Sequence, residues 1–146
     1  MSTDIAIKTQ TMGDAIVAAW PKLQECLPKH VTPERFLRVA RNAITKNPRI
    51  AECSIDSVLH AITVSSELGL EFNTPLGYAF VIPYQQSRKD AQGRWTKVME
   101  AQFQIGYKGI IELAYRSGKV RSIAAEVVHA NDKFSRTLGL HRDLVH

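Results

Sequence analysis

The sequence predicts an α+β fold: N-terminal helices followed by an antiparallel β-hairpin, a helix and a second β-hairpin. Three observations carry this expectation. Through residue 71, apolar side chains recur at helical spacing between cap signals. From Leu76 the period drops to two. After Gly106 an amphipathic, glycine-bounded segment interrupts that alternation before two more strand-like runs. A chain of 146 residues, 45% of them hydrophobic, is long enough to bury the core of one domain. Within that single domain the pattern divides into an N-terminal helical segment (1–26), a helical part (27–71) and a β-β-α-β-β core (72–146).

The elements follow in order. Thr11 is placed to cap a helix with Asp14 as its box partner, and Met12, Ile16, Trp20, Leu23 and Leu27 follow at near-helical spacing. Pro21 lies inside this stretch and predicts a kink or a boundary at Trp20, because proline lacks the N–H that an interior turn needs. Thr32 then precedes Pro33, a favoured first helical residue, with Phe36, Val39, Ala40, Ala43 and Ile44 on one face and Lys46-Asn47-Pro48 as the stop. A third helix is expected from Ser54, burying Ile55, Val58, Leu59 and Ile62 and ending at Gly69 in the left-handed cap position.

From Leu76 a strand places Tyr78, Phe80, Ile82 and Tyr84 on one side and Ala79 and Val81 on the other. Asp90 to Gly93 turns the chain. The return strand puts Met99, Ala101, Phe103 and Ile105 on one side and Glu100, Gln102 and Gln104 on the other, as expected of a pair with one buried and one wet face. Gly106 breaks it, a helix follows with Ile110, Ile111 and Ala114 inward, and Gly118 closes that helix. Runs around Val120 to Val128 and Lys133 to Leu138, separated by an Asn131-Asp132 turn, predict the second hairpin.

Charge is concentrated. The net +5 cancels over residues 1–84, with eight Lys/Arg against eight Asp/Glu, and over residues 122–146, with three against three. The excess sits in residues 85–121, where Arg88, Lys89, Arg94, Lys97, Lys108, Arg116, Lys119 and Arg121 face only Asp90, Glu100 and Glu112. Such an asymmetry is expected of a nucleic-acid footprint. No apolar run reaches the roughly 18 residues of a membrane span, and the N-terminus lacks a secretory pattern, which points to a cytoplasmic protein. Cys26 and Cys53 have no C-x-x-C spacing and the five histidines no zinc-ligand rhythm, so neither a disulfide framework nor a bound metal is expected. P-loop, nucleophile-elbow and H-E-x-x-H motifs are absent, and no cofactor or bond-breaking chemistry is expected.

Two constellations remain. On a helix starting at Tyr107, positions 108, 112, 115 and 119 share a face, grouping Lys108, Tyr115 and Lys119 beside Arg116 and near the wet Gln102 and Gln104. This is either a solvated helix face or a groove in which cations follow phosphates while rings and amides engage bases. Gly106-Tyr107-Lys108-Gly109 is either a tight strand-to-helix turn or a G-x-x-G clamp of the kind that holds a nucleic-acid backbone.

The chain resembles the phage-type RecT single-strand annealing proteins. The resemblance rests on "LPKHVTPERFLRVA" (Leu27 to Ala40), "SVLHAITVSSELGLE" (Ser57 to Glu71), "TPLGYAFVIPY" (Thr74 to Tyr84), "QFQIGYKGIIELAYRSG" (Gln102 to Gly118) and "VVHANDKF" (Val127 to Phe134). It implies ATP-independent coating and annealing of complementary single strands of DNA during homologous recombination in a bacterial host. It also implies assembly into a homo-oligomeric ring or filament, a cognate exonuclease and a host single-strand binding protein as partners, and no membrane. By the same resemblance Gln104, Tyr107, Lys108, Arg116, Lys119 and Arg121 are the expected DNA contacts, with Arg88, Lys89, Arg94 and Lys97 of the hairpin as secondary ones. Phe72 stands where the family pattern leads us to expect a proline, and family members continue well beyond "LGLHRDLVH", so a portion of the groove and a partner-binding tail are expected to be missing. Two alternatives remain: a sequence-selective RNA-binding module built on the Gly106–Gly109 turn, and an assembly module without nucleic acid.

Overall fold

The computed structural model describes residues 2–125, 127–133, 135–137 and 143–145. Its elements are α1 (Ser2–Glu25), α2 (Pro33–Lys46), α3 (Pro48–Ala51), α4 (Ile55–Leu68), β1 (Ala79–Lys89), β2 (Trp95–Ile105), α5 (Tyr107–Arg116), β3 (Ser135–Thr137) and β4 (Asp143–Val145). The layout is α+β, with β1 paired to β2 and β3 to β4, both antiparallel.

Helix α1 departs from the expected start and stop. Thr11 lies inside the helix rather than at its cap, and the helix runs through Pro21 to Glu25. Met12, Ile16 and Leu23 are buried on both sides of the proline, so tertiary packing carries the helix across one missing hydrogen bond. Helix α2 starts and stops where its signals lie, although the Thr32 side chain makes no capping bond. The Asn47-Pro48 stop is also the start of α3, a single turn too short for any periodic signal to reveal. Helix α4 is capped by the Ser54 hydroxyl, which accepts from the Ser57 N–H, and closes at Gly69 with φ 61°. Ile55 is exposed, not buried as expected: it occupies the first turn, outside the Val58, Ala61, Ile62 stripe.

Strand β1 begins at Ala79 rather than Leu76, because Gly77, at φ 69°, bends the chain in a turn closed by its N–H to the Thr74 carbonyl. Asn73 sets the entry to the strand. Its amide donates to the Val81 carbonyl and its carbonyl oxygen accepts from the Val81 N–H, a side-chain imitation of a neighbouring strand. Phe72 is fully buried and meets Phe36 edge to face at 6.4 Å between centroids, so the residue that replaces the expected proline is a core side chain.

One apolar cluster joins the two parts of the chain: Met12, Ile16, Phe36, Ile44, Ile50, Val58 and Ile62 from the helices pack with Leu70, Phe72, Ala79 and Val81. Fully burying each large aliphatic or aromatic side chain contributes about 1.5–3 kcal/mol. The hairpin is also fastened through its backbone. The Ser54 N–H donates to the Met99 carbonyl and the Ala101 N–H donates to the Ser57 hydroxyl, which joins β2 to the first turn of α4.

The second hairpin lies later than expected. Val120 to Val128 forms no strand among its described residues, while Ser135–Thr137 pairs with Asp143–Val145. Phe134 and Leu138 of the expected Lys133–Leu138 run lie outside the described residues. The turn expected at Asn131-Asp132 lies one residue earlier, at Ala130-Asn131, with the His129 N–H donating to the Asp132 carboxylate.

Candidate nucleic-acid interface

Ladder register decides which side chains share a face, because residues directly opposite in an antiparallel pair point the same way. Ala79, Val81 and Pro83 lie opposite Ile105, Phe103 and Ala101 and form the inner face. Phe80, Ile82 and Tyr84 lie opposite Gln104, Gln102 and Glu100 and form the outer one. The aromatic and aliphatic row of β1 is therefore on the wet side: Phe80 is 39% exposed, Ile82 37% and Tyr84 56%. Beside it runs the exposed Gln102-Gln104 row. Apolar side chains left open on a sheet face beside amides are what a stack of bases needs: flat partners for the rings and hydrogen-bonding groups for their edges.

Cations bound both ends of this face. A side-chain carbon at Gly77 would touch both the Lys108 Cδ and the Phe80 ring at 3.9 Å, so the Lys108 stem and Phe80 flank the same spot. At the far end Arg88, also on the outer face, pairs with Glu100 at 3.0 Å and remains two-thirds exposed. Tyr107, at the first turn of α5 and two residues from Ile105, is 70% exposed. Gln104 and Lys108 thus come together with Phe80 at one corner of the hairpin, where β2 gives way to α5.

The remaining expected contacts are more dispersed. Arg116 is engaged: its guanidinium donates to the Leu68 carbonyl at 2.8 Å and to Glu112 at 3.3 Å, tying α5 to the end of α4. Helix α5 ends at Arg116, so Lys119 is not on its face, and the expected stripe of Lys108, Tyr115 and Lys119 is broken. Gly118, at φ 68°, takes the left-handed conformation that stops the helix. Lys119 and Arg121 are exposed on the following segment, which is folded back on α5 by the Ile123 N–H donating to the Tyr115 hydroxyl at 2.9 Å. Lys89 and Lys97 fall on the inner-face register beyond the core, with the Lys89 ammonium 5.3 Å from the Trp95 ring centroid. Arg94 belongs to the turn, paired with Asp90 at 3.0 Å while the same carboxylate accepts from the Gln92 and Arg94 N–H groups.

The Gly106–Gly109 segment has a packing role. A side-chain carbon at Gly106 would lie 2.4 Å from the Gly77 carbonyl oxygen, and one at Gly109 would lie 2.1 Å from that of Tyr78. The Gly106 N–H donates to the Tyr78 carbonyl. Both glycines let β2 and α5 press against the backbone that leads into β1. Ile110, expected inward, is 55% exposed, and Leu113 takes the inner position instead. Side chains that alternation alone left unassigned, Phe80, Ile82 and Tyr84, were identifiable from one signal: the glutamines of β2 mark the wet face, and pairing transfers that label to β1.

Burial pushes the Cys53 thiol up to about 11, which keeps it protonated and unreactive. Among the described residues no cluster of histidine, cysteine or carboxylate side chains fits a metal ion, and no helix is long and apolar enough to cross a membrane.

A family model described as the RecT family matches residues 34–144. Protein RecT of Escherichia coli strain K12 is 38% identical over 125 residues, 86% of this chain and 45% of that protein. The uncharacterized protein YqaK of Bacillus subtilis strain 168 is 36% identical over 76 residues, 52% of this chain and 22% of that protein. The chain thus spans less than half the length of these curated relatives. No solved structure matches it.

Proposed function

Because the chain belongs to the RecT family, we propose that it is part of a single-strand annealing protein of homologous recombination, holding single-stranded DNA along the outer face of the β1–β2 hairpin. The observation that carries this reading is the shared face of Phe80, Ile82 and Tyr84 with Gln102 and Gln104, bounded by Lys108 and Arg88. Bases stack on the exposed rings, the glutamine amides meet base edges without demanding one sequence, and the cations at each end follow the phosphates. Annealing then needs no nucleotide hydrolysis. Neutralised phosphates repel one another less, and base pairing provides the driving force. Assembly of several copies along one strand, as the resemblance implies, would present a long stretch of bases to its complement.

The test is an annealing assay with labelled complementary oligonucleotides in the absence of ATP. Faster annealing than the protein-free rate supports the proposal, and an equal rate removes it. Competition between DNA and RNA of one sequence separates the RNA-module alternative, which requires a strong RNA preference through the 2′-hydroxyl. Lack of binding to either at low salt would leave the assembly-module reading.

A further inference from the structure

The neutral balance of the N-terminal half conceals a segregation. Residues 29–49 carry Lys29, Arg35, Arg38, Arg41, Lys46 and Arg49 against Glu34 alone, while residues 50–71 carry four acids and no cation. One of those acids, Glu71, binds Arg35. Arg38 and Arg41 have no ion pair among the described residues, and both are exposed. They lie one helical turn apart with Thr45, next to Asn42, on the side of α2 opposite its buried Phe36, Ala40 and Ala43.

This ridge is one wall of an open cleft of about 490 Å³. Trp20 of α1 and Leu37 line the rest of it, with Glu34 as its one acidic side chain. The indole is held by stacking on Phe36, at 6.5 Å between centroids and 21° between planes, so a flat ring is fixed beside two guanidinium forks. An arginine fork matches a phosphate with two parallel hydrogen bonds, and a fixed ring offers a base a stacking partner without an ordering cost.

We propose that the Trp20–Arg38–Arg41 cleft is a second nucleic-acid contact, taking the phosphodiester backbone of a single strand on Arg38 and Arg41 and a base against Trp20. The proposal rests on the reading of the chain as a DNA-annealing protein and adds a site on the helical side, apart from the outer face of the hairpin. A nucleic acid is favoured over an acidic peptide because each of its repeats carries a charge and a flat ring, and the cleft sets two guanidinium groups beside one indole. Asn42 and Thr45 supply further hydrogen-bonding groups along the same ridge. Two contacts on one chain would hold two strands, or two stretches of one strand, near each other before pairing.

Trp20 itself reports on the cleft. The sequence has two tryptophans, so Trp95→Phe in the 146-residue chain leaves Trp20 as the sole emitter. End-labelled oligo(dT) is titrated in, with label anisotropy following total binding and indole emission following the cleft. The expected result is quenching of Trp20 that survives Tyr84→Ala on the hairpin and is lost in Arg38→Gln/Arg41→Gln. That double variant should also flatten the salt slope, d log K/d log[salt], by about 1.4, from two phosphate contacts at about 0.7 each. Both substitutions are at exposed positions, and an unchanged circular-dichroism melt establishes folding. Unmoved emission while the oligonucleotide binds overturns the proposal, as does quenching that persists in the double variant. Quenching by a polyglutamate peptide but not by oligo(dT) also overturns it, in favour of an acidic protein partner. Loss of annealing with retained Trp20 quenching removes the annealing reading and leaves the cleft standing; the reverse removes the cleft alone.

Discussion

Phe80 and Gln104 stand directly opposite each other across the β1–β2 ladder, both pointing away from the core. That pairing joins a row of apolar side chains to a row of amides on one open face, the face proposed to hold DNA. Removing a ring from this face should weaken DNA binding without weakening the fold. Tyr84→Ala, at a residue 56% exposed, is expected to lower affinity for oligo(dT) by about 1–3 kcal/mol, the contribution of one stacked base, with the melting temperature unchanged. Fluorescence anisotropy and a thermal melt check both halves.

Lys108 and Arg116, both among the expected DNA contacts, should separate by behaviour. Lys108→Ala should flatten the salt slope of single-strand binding by about 0.7, the value of one neutralised phosphate. Arg116→Gln, whose parent side chain binds the Leu68 carbonyl and Glu112, should leave the slope unchanged and cost about 1–3 kcal/mol of stability instead. Parallel titrations at several salt concentrations and denaturant melts distinguish them.

Glycine substitutions test the packing of the first turn of α5 against an open helical position in α1. Gly109→Ala, whose new carbon would lie 2.1 Å from the Tyr78 oxygen, should destabilise the protein by about 1–3 kcal/mol or more through overpacking. Gly13→Ala, in α1 with nothing within 4 Å of the added carbon, should stabilise it by about 0.4–1 kcal/mol. Urea unfolding of the two variants provides the comparison.

Thiol chemistry gives a pH prediction. Cys53 is buried and its thiol is pushed up to about 11, from an ordinary value of 9.0, whereas Cys26 is exposed. Iodoacetamide at pH 8 should therefore label Cys26 and spare Cys53 in the folded chain. Above pH 9 the unfolded chain releases the Cys53 proton while the folded chain retains it, so stability falls as pH rises from about 9 towards 11. Replacing Cys53 with alanine should remove that part of the decline, as read by melts across the alkaline range.

Signals confined to a few residues were legible in the sequence: Ser54 and Gly69 bound α4, Asp90 and Gly93 make the hairpin turn, and the glutamines mark the wet face of β2. Features decided by packing were not. Pro21 does not end α1 because buried Ile16 and Leu23 lie on either side of it. Ile55 and Ile110 have core-type side chains at positions that packing leaves 39% and 55% exposed. The run from Val120 to Val128 has strand composition, yet its described residues join no strand, because composition alone does not supply the packing that a strand needs. For the site, charge localisation drew attention to the segment from Arg88 to Arg121, and the structure brings Lys108 of that segment beside Phe80. Charge localisation was blind to arginines already committed to neighbours, since a count of charges does not see Leu68 or Glu112 beside Arg116.

Ultraviolet cross-linking of oligo(dT) to the chain, followed by mass-spectrometric mapping of the modified residues, examines the outer face most directly. If single-stranded DNA lies along that face, adducts appear on Phe80, Tyr84 or Tyr107. A cross-linked complex whose β1 and α5 peptides carry none of the nucleotide would contradict it.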